Sequence, residues 1–154
     1  MTVISARTKS ESSIVNHSRS EVISMGEYED TLIDIKKSIG LVPGFMEALP
    51  KDVLVHDWPL FKKYTLGESK IPAKYRELMG LAVAANIKCP YCALFHTSAA
   101  KMYGATKEEL AEIAFLASHT SRWSAMIHGQ HYPYETFAKE TEQIGAYLSK
   151  AAKK

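Results

Sequence analysis

The stretch PAKYRELMGLAVAANIKCPYCALFHTSAAKM, residues 72–102, decides the fold and carries most of the chemistry. Pro72 suits the first turn of a helix, where its missing N–H costs nothing. From Tyr75 to Ala85 the chain is apolar and rich in Ala and Gly, and small side chains let another helix approach closely. This helix is expected to end near Asn86. A second one starts at the cysteines: Cys89 fits the N-cap, Pro90 the first helical position and Cys92 the third. It is expected to run to Tyr103 and stop at Gly104, which suits a left-handed cap. The connection is short, so the two helices should be antiparallel neighbours.

Outside this pair the chain also reads as helical. Glu27 to Ser38 has early acidic and late basic residues, the order a helix dipole favours, with Gly40 as its stop. Phe45 to Leu49 is expected to form a short helix ending before Pro50. Lys51 to Leu66 has helical spacing with Pro59 inside it, which predicts a kink or a fresh start there. Thr106-Lys107-Glu108-Glu109 reads as a capping box that opens a helix carrying Leu110, Ile113, Ala114 and Leu116. A further helical stretch is expected over Thr120 to Ile127, broken by Tyr132-Pro133-Tyr134. A last helix spans Glu135 to Lys150, with Phe137, Ile144, Tyr147 and Leu148 as its apolar stripe. No alternating strand pattern or Asn-Gly hairpin occurs. The fold class is therefore all-α, with six to eight helices.

Composition bounds the function. A chain of 154 residues with 46% hydrophobic and 23% charged residues suits one globular domain. Residues 1–20, rich in Ser, Thr and charge, are expected to form a flexible N-terminal arm, and 21–154 the helical domain. The net charge of +2 gives no basis for a nucleic-acid surface. Lys150, Lys153 and Lys154 read as the solvated basic end of a helix. No apolar run is long enough to span a membrane, and Met1 to Arg7 lack the apolar core of a signal peptide. A cytoplasmic protein is expected.

Cys89 and Cys92 are the only cysteines, with His96 four residues after the second and Glu77 twelve before the first. Two cysteines make no disulfide framework, and without a secretion signal a CxxC points to redox catalysis or metal binding. Unpaired N–H groups at a helix start favour an anion, and a thiolate is one. An ordinary thiol is only a few per cent ionised at neutral pH, so a helix start and an imidazole together would activate it. His96 shares a face with Cys92 one turn along and is the local base for it. On the preceding helix Glu77 shares a face with Gly80, Leu81 and Ala84. Counted from a turn near Lys88, Glu77 and His96 differ by about one turn, roughly 5 Å, so the carboxylate can reach the imidazole directly or through a water. That suits a proton relay. Position alone leaves open which cysteine attacks: the helix start favours Cys89 and the imidazole favours Cys92. A zinc site on Cys89, Cys92, His96 and Glu77 is the rival reading, although a second knuckle is missing. His56, His119, His128 and His131 form no site spacing.

Glu77, Cys89-x-x-Cys92 and His96 together reproduce an E-x11-C-x-x-C-x3-H pattern. It resembles the signature of AhpD-like alkylhydroperoxidases of the carboxymuconolactone decarboxylase superfamily. Ile71 to Leu78 and the Gly104-Ala105-Thr106-Lys107-Glu108-Glu109-Leu110 segment resemble that family as well. Close resemblance covers about residues 70–118 and looser similarity reaches back to Leu41. The resemblance implies an AhpD-like helical fold, commonly a homo-oligomer (a trimer, or a hexamer of paired trimers), and a thiol peroxidase with no cofactor, haem or metal. It makes Cys92 the peroxidatic thiol, Cys89 the resolving one, and Glu77 and His96 the proton relay. The substrate would be a small hydroperoxide. The electron donor would be a dithiol, lipoyl-bearing or thioredoxin-like. The decarboxylase branch lacks the cysteine pair, so the pair argues against decarboxylation. One departure stands out: relatives can carry a His just before the second cysteine, where this chain has Tyr91, a poor base at neutral pH. The alternatives are a thiol–disulfide relay with little peroxidase activity and a non-catalytic zinc-binding helical module.

Overall fold

The computed structural model describes residues 25–152. The arm expected over 1–20, with Lys153 and Lys154 of the basic tail, lies outside them. The described residues hold seven α-helices, one π-helical stretch and no strand. They form two compact units that divide after Phe61.

The first unit holds α1 (Met25–Ile39), α2 (Gly44–Glu47) and α3 (Lys51–Phe61). α1 stops where Gly40 takes a left-handed φ of 88°, a conformation that costs glycine little. α1 and α3 pack face to face around Ile35, Leu54 and Trp58, with Met46 of α2 also buried. The Trp58 indole N–H reaches Asp34 Oδ2 at 2.7 Å, so its polar edge is satisfied as its rings are buried. α3 runs through Pro59 without a break, so no fresh helix starts there. A π-helical stretch follows over Lys62–Leu66.

The second unit opens with that stretch and continues through α4 (Ala73–Ile87), α5 (Pro90–Met102), α6 (Lys107–Gly129) and α7 (Tyr134–Ala151). α4 is its axis, with α5 and α6 both packed on it. The contacts are close because the buried positions are small: Ala84 on α4, Ala100 on α5 and Ala117 on α6, with Leu78 as the larger filler. α6 is one continuous helix, so the separate stretch expected over Thr120 to Ile127 belongs to it. The polar run between is accommodated because Ser118 and Ser121 donate back to the carbonyls of Phe115 and Ala117, at 2.7 and 3.0 Å. Pro133 caps α7. Within the unit none of α4, α5 and α6 lies along α7. It is tethered instead by the Tyr132 hydroxyl on both oxygens of Glu140, at 2.8 and 2.7 Å. No described helix is long and apolar enough to cross a membrane.

Candidate active site

The site is made where α4 ends and α5 begins. α4 is first pinned at its start. The Arg76 guanidinium spans the preceding loop, donating to Gly67 O at 2.7 Å, Ser69 Oγ at 2.5 Å and Ile71 O at 3.0 Å. A planar fork serves these three acceptors with its donors held in one fixed geometry. Lys74 pairs with Glu109 of α6 at 2.7 Å. That bond raises the Lys74 pKa, and with the Thr106 N–H it lowers that of Glu109. Glu77, one position beyond Arg76, faces inward and is 2% exposed.

At its far end α4 turns out of the helix at Lys88, which sits left-handed with φ 57°. The Cys89 N–H closes the turn on Ala84 O at 3.0 Å. Cys89 is then the N-cap of α5, with Pro90 in the first turn, as the sequence predicts. Its Sγ accepts the Cys92 N–H at 3.2 Å. The two sulfurs are joined as a disulfide, with the Cα atoms 5.4 Å apart. Both cysteines are partly exposed, and Tyr91 between them is 85% exposed.

His96 lies one turn after Cys92 on α5 and meets Glu77 directly: its Nδ1 is 2.8 Å from Oε2. No bridging water is needed, because the two side chains meet across the antiparallel pair. With the carboxylate ionised, Nδ1–H donates to it, which leaves Nε2 as the nitrogen for proton exchange. A carboxylate behind an imidazole fixes both tautomer and ring orientation. Phe95 adds an edge-on contact to the ring, with centroids 5.2 Å apart and planes at 82°. The motif reading passes over Phe95; its position next to His96 is the only signal in the sequence.

Two further histidines of this unit have partners of their own. His119 accepts the Trp123 indole N–H at 3.0 Å, and His128 Nδ1 lies 2.9 Å from Ser124 O. His56 and His131 are exposed. Among the described residues no group of three or more His, Cys, Asp or Glu is placed to hold a metal ion.

The helix pair, the CxxC at a helix start and the imidazole–carboxylate contact frame the comparison with known proteins. The model of the carboxymuconolactone decarboxylase family matches residues 54–132, just over half of the chain. The chain belongs to the carboxymuconolactone decarboxylase family. The fold is also similar to the crystal structure of the alkylhydroperoxidase AhpD core from Rhodospirillum rubrum. That match has a TM-score of 0.63 and 27% identity, covering 74% of this chain and 88% of the other. An uncharacterized protein of Cupriavidus necator is 44% identical over 46 residues, 30% of this chain. The chain spans about two fifths of that curated relative's length, 41%. Within the family this chain is therefore an AhpD-like member that carries a CxxC pair.

Proposed function

We propose that this protein is a cysteine-dependent alkyl hydroperoxide reductase. The observation that carries the reading is the direct Glu77–His96 contact one turn from Cys92, on a CxxC at a helix start. The likeness to an alkylhydroperoxidase core supports it. In the cycle, His96 Nε2 takes the proton of the Cys92 thiol while Glu77 holds the imidazole. The thiolate attacks the terminal peroxide oxygen and the O–O bond breaks. The leaving alkoxide takes the proton from His96 and departs as the alcohol, and Cys92 becomes a sulfenic acid. The Cys89 thiol then attacks that sulfur, water leaves, and the Cys89–Cys92 disulfide forms. A dithiol donor, lipoyl-bearing or thioredoxin-like, returns the pair to thiols and is itself oxidised.

The working form is a homo-oligomer, trimer or hexamer. Exposed apolar stripes support this: Met79, Val83 and Ile87 on α4, and Phe137, Ile144 and Tyr147 on α7. Apolar stripes of this kind suit a protein–protein interface.

Intact-mass spectrometry tests the reaction. Reduced protein exposed briefly to an alkyl hydroperoxide, then to an alkylating agent, should lose about two mass units and take up no alkyl group. Two alkylated thiols, unchanged by peroxide, would end the proposal. Tyr91 favours a second reading, a disulfide relay with slow peroxide turnover, because a phenol stands where a further base would serve. Fast exchange with a small dithiol, alongside negligible peroxide consumption, would select it.

A further inference from the structure

Gly80 lies on the face of α4 that carries Glu77, one turn further along. A Cβ built there would stand 2.7 Å from Nε2 of His96 and closer still to its Cε1 and Nδ1. All three distances are inside van der Waals contact, so any side chain at this position collides with the imidazole. The ring lies flat against α4 because residue 80 has none. From that seat Nδ1 reaches the buried Oε2 of Glu77 at 2.8 Å. Glycine in a helix interior is destabilising relative to alanine, and α4 is otherwise rich in alanine here. The helix itself gains nothing from the exchange; the imidazole gains a slot.

We infer that Gly80 is a positioning residue of the thiol site: the missing side chain forms the slot that holds His96 on Glu77. The inference rests on the proposed relay. It adds the space the ring occupies on α4, which works together with the carboxylate that orients the ring. With a methyl group at residue 80 the ring swings off α4 by rotation about its own side-chain bonds. The Glu77 contact is then lost, and with it the fixed orientation of the ring.

The test uses the reduced full chain and the rate at which its thiols react with iodoacetamide, a readout that needs no peroxide. Gly80→Ala should slow alkylation at pH 7 about tenfold, and the deficit should shrink as pH rises and the thiols ionise unaided. His96→Ala should slow it equally, and the double variant should be no slower than either single one. Melting temperature supplies the second arm. Gly80→Ala should lower it in the wild-type background yet leave it level or raised once His96 is alanine, where only helix propensity remains. The inference is overturned if Gly80→Ala alkylates like wild type, if its effect adds to that of His96→Ala, or if it is equally destabilising without the ring. These arms stand apart from the peroxide assay. A protein that ignores hydroperoxide but shows this cycle retains the Gly80 assignment and loses the reductase one.

Discussion

The starts of α5 and α6 are built on one plan and differ in a single bond. In α6 the Thr106 hydroxyl accepts the N–H of Glu109 at 3.1 Å, and the Glu109 side chain returns to the Thr106 N–H at 2.8 Å. In α5 the Cys89 sulfur accepts the N–H of Cys92 at 3.2 Å, and the Cys92 side chain returns to Cys89 through the disulfide. Both helices tie the third helical residue back to the cap. α6 does it with a hydrogen bond whose only product is stability. α5 does it with a covalent bond that a dithiol can open. A local stabilising motif and a redox centre can thus share one backbone geometry, and the side-chain chemistry alone separates them.

The sharpest way to break this comparison is at the cysteines. Cys92→Ser should bring peroxide consumption to background, while Cys89→Ser should leave a sulfenic acid at Cys92 that a dimedone-type probe traps. Serine is itself a strong N-cap, so Cys89→Ser should keep the helicity of the wild type by circular dichroism. Equal residual turnover in the two variants would remove the assignment of roles. A loss of helix in Cys89→Ser would show that the bond serves the fold as well as the chemistry.

Next in size is the carboxylate behind the imidazole. Glu77→Gln preserves volume and a hydrogen-bonding end but removes the charge that sets the tautomer. It should lower peroxide turnover about tenfold to a hundredfold, with the loss in kcat more than in KM. Unchanged kcat would leave Glu77 a packing residue. On the α6 side, Thr106→Ala should cost about 1 kcal/mol in denaturant unfolding and leave the thiol chemistry alone. If it slowed turnover, the two helix starts would not be independent. Smaller again is Lys88→Gly, which suits the left-handed turn just before Cys89. It should add about 0.5–1 kcal/mol, because the left-handed conformation is costly for a residue with a Cβ.

What the sequence discloses here follows the range of the interaction. The caps at Gly40, Cys89, Gly104 and Thr106 are legible because each is settled within four residues. The Glu77–His96 meeting is legible for a related reason: a short turn makes two helices antiparallel, and residue counts from it become axial heights. That the contact is direct depends on the absent side chain of Gly80, which no motif marks. The Arg76 clamp is hidden because its partners include the carbonyls of Gly67 and Ile71, present in any sequence. The continuity of α6 through Ser118 to Ser121 is hidden too, since the sequence shows polar residues but not their bonds to the helix carbonyls.

The smallest effect separates the two starts by the agent that opens each. The hydrogen bond from Lys74 lowers the Glu109 pKa below the usual carboxylate range, aided by the Thr106 N–H. A depressed carboxylate contributes stability that is fully present above its unfolded value and is lost as pH falls through the folded one. Lys74, raised chiefly by the same bond, contributes stability below the ordinary lysine range that is lost as pH climbs through its folded value. The α6 start is therefore held at neutral pH and loosened from the acid side first. The ends of the return link in α5 are two sulfurs joined covalently, which acid leaves closed and a dithiol opens. Hydrogen exchange at the backbone amides of Thr106, which donates to the Glu109 carboxylate, and of Cys92 would read both helix starts in one sample. Lowering the pH from 7 to 3, after correction for intrinsic exchange, should reduce protection at Thr106 and spare Cys92. Adding dithiothreitol at pH 7 should do the reverse. Glu109→Gln should flatten the acid response of the first and leave the reductant response of the second. Loss of protection at both amides under either agent would mean that α5 and α6 open as one unit through α4, and that the two caps are a single cooperative element.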